Sequence, residues 1–225
     1  MMSIGKTLAI VSGVSVSLIS TAALADVEAS DSAVTKRLGA VHNALEIAVG
    51  AGYAQGTGDI ADNMASVGDL SGAGGTGELK IGYRIIPELA IGAYGTLAAF
   101  AEGDQVDNSN VMGATAGVFA DWHILPAEEL DPWIGLSSGW RTLWVDPDSG
   151  KGETLQGLEL ARLQVGLDYR ITPEVAIAPV VGGALSMFVA HDGPGTDGYD
   201  EIDDQSVGVF FFGGVQGRFD LLGQQ

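Results

Sequence analysis

The feature that most restricts this chain is an alternation. Along much of its length every second residue is apolar, and one of the two faces so produced is nearly free of charge. From Glu78, ELKIGYRI puts Leu79, Ile81, Tyr83 and Ile85 on one side and Glu78, Lys80, Gly82 and Arg84 on the other. From Ala161, ARLQVGLDYRI separates Leu163, Val165, Leu167, Tyr169 and Ile171 from Arg162, Gln164, Gly166, Asp168 and Arg170. From Val207 one face reads Val207, Val209, Phe211, Val215, Phe219 and Leu221. Side chains alternate across a strand, so each segment carries one greasy face and one polar or small face. A soluble sandwich would turn a polar face to water, whereas here the uncharged face suits lipid.

About eight such segments can be counted, near 44–57, 76–87, 89–102, 110–125, 132–145, 155–172, 175–190 and 205–221. Each is long enough for a tilted membrane strand of roughly 9–11 residues. Long polar connections alternate with short turns, and the short turns form a repeat: YRIIPE, WHILPAE and YRITPE. Tyr83, Trp122 and Tyr169 each stand four residues before a proline, and each is followed at once by Arg84, His123 or Arg170. An aromatic anchors at the bilayer interface, its neighbour must then point inward, and proline, lacking an N–H, belongs at the turn. Phe219 beside Arg218 is a weaker echo in the last strand.

The charge balance sharpens this. The 225 residues carry 10 Lys+Arg against 29 Asp+Glu, a net charge of −19. So acidic a chain would repel phosphates, which argues against nucleic acid as a partner. With no cysteine there is neither a disulfide scaffold nor a thiolate metal site. The 34 glycines fit a narrow interior in which side chains crowd. Met1–Ala25 holds one cation, Lys6, then LAIVSGVSVSLIS and the small-residue ending TAALA, the pattern of a secretory signal peptide. Residues 26–43 form a periplasmic lead in which Val34, Leu38 and Val41 fall at helical spacing behind Asp31 or Ser32. That stretch reads either as a short helix at the inner mouth or as a lead without structure.

Signal peptide, eight alternating segments, short turns, long polar loops and the motif DYRITPEV at Asp168–Val175 together resemble the small eight-stranded outer-membrane β-barrels of the outer membrane protein A and X type. The resemblance implies an all-β, eight-stranded antiparallel up-and-down transmembrane β-barrel over residues 44–225. It implies insertion into the outer membrane of a Gram-negative bacterium by the barrel-assembly machinery. Contact with lipid and lipopolysaccharide and a monomeric state follow from the same likeness. The family commonly ends in an aromatic; this chain ends FDLLGQQ, leaving Phe219 for that part.

In this register Lys80, Arg84, His123, Arg141, Arg162, Arg170 and Arg218 face inward, as do Glu46, Glu78, Asp121, Asp168 and Asp220. Buried charges need partners, so the expectation is a lumen charge network. Phe119, Phe210 and Phe212 also point inward, while Tyr83, Trp122, Trp140, Trp144, Tyr169 and Phe219 are the membrane-interface aromatics. Remaining acid crowds the loops. Asp197, Asp200, Glu201 and Asp203 are candidates for weak Ca²⁺ or Mg²⁺ binding, set against a merely solvated acidic surface. Tyr199 and Ile202 offer a partner-binding surface in the same loop. No cofactor pattern is present. His191, Asp192 and Ser186 fall in the half of the barrel where a lipid-A-modifying enzyme would hold its groups, but no matching motif accompanies them, and the chain reads as a non-enzyme. The expected function is structural or surface-interacting: envelope integrity, adhesion or recognition through acidic extracellular loops. A narrow porin-like channel is the alternative.

Overall fold

The computed structural model describes residues 39–61, 64–103, 109–148 and 150–224. The expected signal peptide and residues 26–38 of the lead lie outside the described residues. The elements run β1 (Ala44–Thr57), α1 (Val67–Leu70), β2 (Ser71–Ile86), β3 (Leu89–Glu102), β4 (Ser109–His123), β5 (Leu130–Pro147), β6 (Glu153–Thr172), β7 (Val175–Asp192), β8 (Asp200–Glu201) and β9 (Gly208–Leu221). Every long strand pairs antiparallel with its neighbours in sequence, and β9 returns to β1 in unbroken register from Leu45↔Leu221 to Thr57↔Val209. Eight long strands thus close a barrel, with the two-residue β8 added to β7 in a loop. Closure leaves no strand edge, so every backbone polar group of the wall can pair without water.

The two faces separate as alternation requires. Large apolar side chains cover the outside, and Leu97 and Val118 are each 65% exposed. The inside holds nearly all of the buried charge. The β1–β9 seam is tight enough to require glycine: a Cβ on Gly52 would collide with the Gly213 carbonyl oxygen, and one on Gly214 with that of Ala51.

Three expectations change. The glycine-rich stretch 71–75, read as the end of a connection, is strand, with Gly74 and Gly75 opposite Ala54 and Tyr53. Glycine carries no pattern, so its pairing could not be seen. The described end of the lead, residues 39–43, is not helical, and Asn43 takes a left-handed turn with a φ of 50° before β1. His42 exchanges two backbone hydrogen bonds of 2.9 Å with Gln224, and Ala40 N donates to the Pro126 carbonyl at 2.6 Å. Strict alternation also breaks in β6, where an irregularity between Glu159 and Ala161 lets both Glu159 and Arg162 point inward.

The turn repeat has a concrete job. Arg84 Nη1 donates to the Pro87 carbonyl at 2.8 Å, and Arg170 Nη1 to the Pro173 carbonyl at 3.3 Å. Each turn's glutamate carbonyl then accepts the backbone N–H of a residue two strands on: Glu88 from His123, Glu129 from Arg170 and Glu174 from Asp220. The repeat laces one rim of the barrel.

The apolar outer face makes a sharp prediction for the barrel in lipid. Leu163→Lys, at mid-strand on that face, should cost ~2–4 kcal/mol in reversible unfolding from lipid, and Thr154→Lys near the rim ~0–1 kcal/mol. On a water-facing surface both would be close to neutral, and urea titration of the two variants distinguishes the cases.

Candidate functional site

The lumen is filled in layers. Nearest the short turns is an ion-pair lattice. Arg84 reaches Glu46 at 2.7 Å and Asp220 at 3.2 Å. Arg218 lies 2.5 Å from Glu46 and 3.2 Å from Asp168. Arg170 lies 3.3 Å from Asp220, and Lys80 lies 3.0 Å from Asp121. Every one of these side chains is at most 2% exposed. Taking such charges from water is costly, and the cost is met only where each finds opposite charge and fixed hydrogen bonds. A carboxylate with two guanidinium neighbours, as Glu46 and Asp220 have, satisfies both oxygens.

His123, in the same layer, is held from two sides. Its Nδ1 lies 2.7 Å from Asp131, and its Nε2 lies 3.3 Å from Arg84 Nη2. A guanidinium can only donate, so Nε2 accepts and Nδ1–H donates to Asp131, which fixes the neutral tautomer. His123, Asp131 and Asp168 bring three ligand atoms within 4.8 Å of one another. Positive charge is already supplied there, since Arg170 sits 3.5 Å from Asp131 and Arg218 3.2 Å from Asp168. The trio therefore belongs to the lattice rather than to a cation site.

The middle layer is looser. Arg162 meets Glu78 at 2.5 Å, Gln164 donates to the same carboxylate at 3.1 Å, and Arg141 pairs with Glu159, which also accepts from Tyr94 at 2.5 Å. The guanidiniums lie on aromatic rings, Arg162 3.7 Å from the Phe212 centroid and Arg141 3.9 Å from that of Phe210. Such stacking stabilises a desolvated cation.

At the loop end the lumen turns apolar. Ile60, Val67, Leu70 and Ile202 come in from the loops and pack on Val111, Leu143, Leu155, Phe188 and Phe210 of the wall. The one-turn α1 directs Val67 and Leu70 inward, and a capping box starts it. Ser66 Oγ accepts from Asp69 N at 3.2 Å, while Asp69 accepts from Ser66 N at 3.0 Å.

The lumen residues expected from sequence all take part in these layers. The interface aromatics Tyr83, Trp122, Trp140, Trp144, Tyr169 and Phe219 stand on the outer face, Trp144 partly covered. The structure also places three other groups named from the sequence. Among the described residues, Asp197, Asp200, Glu201 and Asp203 do not bring three ligand atoms within reach of one another. Ile202 is 3% exposed and belongs to the cap, so only Tyr199 of that pair is presented. Ser186 Oγ and His191 Nδ1 each lack a hydrogen-bond partner, so Ser186, His191 and Asp192 make no relay. Asp131, Trp133, Tyr94 and Glu159 were missed. Trp133, 2% exposed, donates from Nε1 to Asp168 at 2.8 Å.

Solved structures agree at the level of fold. The chain is similar to Neisserial surface protein A (NspA), with a TM-score of 0.52 and 15% identity over 79% of this chain and 97% of that one. It is also similar to the outer membrane protein OprG from Pseudomonas aeruginosa, with a TM-score of 0.46 and 13% identity over 80% and 98%. For Ail, the attachment invasion locus protein of Yersinia pestis, the figures are 0.41 and 16% over 78% and 99%. No protein-family model and no curated protein matches the chain. The likeness to NspA establishes the fold of the small outer-membrane barrels.

Removing one member of the lattice strands its partners. Arg218→Met should destabilise by about 3–5 kcal/mol, because Glu46 and Asp168 are left buried and short of charge. Lys151→Ala, which removes an exposed 2.7 Å pair with Asp192, should leave stability essentially unchanged. Equilibrium unfolding in detergent separates the two.

Proposed function

We propose that this protein is an outer-membrane barrel with a closed lumen, acting structurally and through its surface rather than as a pore. Export by the leader Met1–Ala25 and residence in a Gram-negative outer membrane belong to this reading. The observation that carries it is the double closure. The ion-pair lattice fills the turn end with side chains at most 2% exposed, and Ile60, Val67, Leu70 and Ile202 plug the loop end. Ions would have to break a charge lattice at one end and cross an apolar cap at the other. Both obstacles lie in series, which disfavours the porin-like alternative.

What the barrel presents is its loop end. Tyr199 is 55% exposed, in a segment whose Asp197, Asp200, Glu201, Asp203 and Asp204 are also exposed. Lys151 ties two of the loops together, meeting Asp192 at 2.7 Å and the Thr196 carbonyl at 3.0 Å. A tied, acidic, aromatic-bearing surface suits adhesion or recognition of cationic partners and does not call for solute flow.

Purified protein in planar bilayers should give no unitary conductance steps, while cell fractionation should recover it with outer-membrane markers. Reproducible steps of defined size would overturn the closed-lumen reading, and recovery as a soluble periplasmic protein would overturn the location. Deleting Gly193–Tyr199 keeps the cap residue Ile202 and should lower adhesion of cells displaying the protein. Unchanged adhesion would refute the surface role alone.

A further inference from the structure

The charges that line the turn end lie almost at its mouth. Glu46 is the third residue of β1, Asp220 the last but one of β9, His123 the last of β4 and Asp131 the second of β5. Side chains so near an open end should be wet, yet none of the four is more than 1% exposed. The strands follow one another round the ring as β1, β2, β3, β4, β5, β6, β7 and β9, so the β4–β5 turn stands opposite the β1–β9 seam. Residues 39–42, just ahead of β1, join these two sides. At the seam His42 is held by two backbone hydrogen bonds to Gln224, and two residues earlier Ala40 N donates to the Pro126 carbonyl of the β4–β5 turn at 2.6 Å. Val41, between them, is 2% exposed. Two extended residues cover only about 7 Å, so both sides of the ring have to bend inward to be joined.

The chain is bent to make this crossing. Asn43, with a φ of 50°, and Leu222, with a φ of 60°, take the left-handed region on either side of the seam. For a side chain as bulky as leucine that conformation is disfavoured and persists only where the surrounding structure holds it. Gly223 completes the fit. A Cβ there would lie 2.5 Å from Val41 Cγ2 and 2.8 Å from Ala44 Cβ, so the tail packs on Val41 with no room for a side chain. We propose that residues 39–42 are a strap across the turn-end mouth, which keeps water off the ion-pair lattice and can lift while the barrel stays closed. Its bonds lie outside the ladders of the wall: His42 and Gln224 form an isolated bridge, and Ala40 reaches a turn. Lifting it breaks those three hydrogen bonds and no pair of β1 with its neighbours, whose registers begin at Ala44 and Leu45. Water then reaches Glu46, Asp220, His123 and Asp131 and weakens ion pairs that are strong while dry.

The test follows exchange into heavy water by NMR of the whole chain in lipid nanodiscs. The reporters are Arg84 Nε–H, bonded to Asp220 at 3.2 Å, and Trp133 Nε1–H, bonded to Asp168 at 2.8 Å. Mid-strand backbone amides of β6 are the control. Gly223→Ala drives a methyl group into Val41, and Ala40→Pro, the second variant should the first fail to fold, removes the N–H that reaches Pro126. Each should speed exchange of both reporters about tenfold, the worth of one hydrogen bond, and leave the β6 amides unchanged. Reporters that exchange no faster in the variants overturn the proposal. So does acceleration of reporters and β6 amides together, which would make the segment a support of the whole barrel and not a strap. The unmodified chain carries its own test: reporters exchanging as fast as an exposed arginine would show a lattice already wet, and no strap sealing it. The readout is independent of conductance and adhesion.

Discussion

The structure depends on the pairing of charge in a cylinder too narrow to hold bulk water. Eight strands make a lumen that side chains can fill, and this sequence fills the turn end with Lys80, Arg84, Arg170 and Arg218 against Glu46, Asp121, Asp131, Asp168 and Asp220. None of these could be buried alone. Six of the eight long strands contribute to a lattice completed only when β9 closes on β1, because Arg218 and Asp220 arrive on the last strand and bond partners on the first two. The lattice therefore ties charge neutralisation to barrel closure. An unclosed sheet would leave Glu46 and Arg84 short of their partners from β9.

The turn repeat serves the same end. The arginine beside each anchoring tyrosine both enters the lattice and bonds the proline carbonyl three residues on, so the turn and the lumen are fixed by one side chain. In the middle copy histidine replaces arginine, and its neutral ring joins Asp131 to Arg84 instead of reaching its own turn. That one substitution brings Asp131, an extra carboxylate from the start of β5, into the layer.

Strand positions and inward charges were legible because two-residue periodicity is strict where one face meets lipid. What stayed hidden broke that periodicity or lay outside it. Glu159 sits beyond a bulge in β6, so counting by twos from Arg162 sends it outward. Trp133 was taken for neither face. It turns inward because Gly166 on the facing strand leaves room for its ring, where a Cβ would lie 2.5 Å from the indole. The cap was masked by its acidic surroundings, yet Ser66 and Asp69 at capping-box spacing, bracketing Val67 and followed by Leu70, were a visible sign of an inward-turned helix. Ile202 had no such sign, and only the folded loop shows it buried.

The two ends of the lumen are closed by different physics, and the difference matters. Ion pairs at the turn end resist opening because separating them leaves several charges bare at once. The apolar cap at the loop end is held by burial of Ile60, Val67, Leu70 and Ile202, each worth roughly 1.5–3 kcal/mol when fully buried. Those side chains belong to the segments between the long strands rather than to the wall itself. The net charge of −19 is arranged around this asymmetry. Most cations are consumed inside, the outer wall is nearly neutral, and much of the excess acid lies at the loop end.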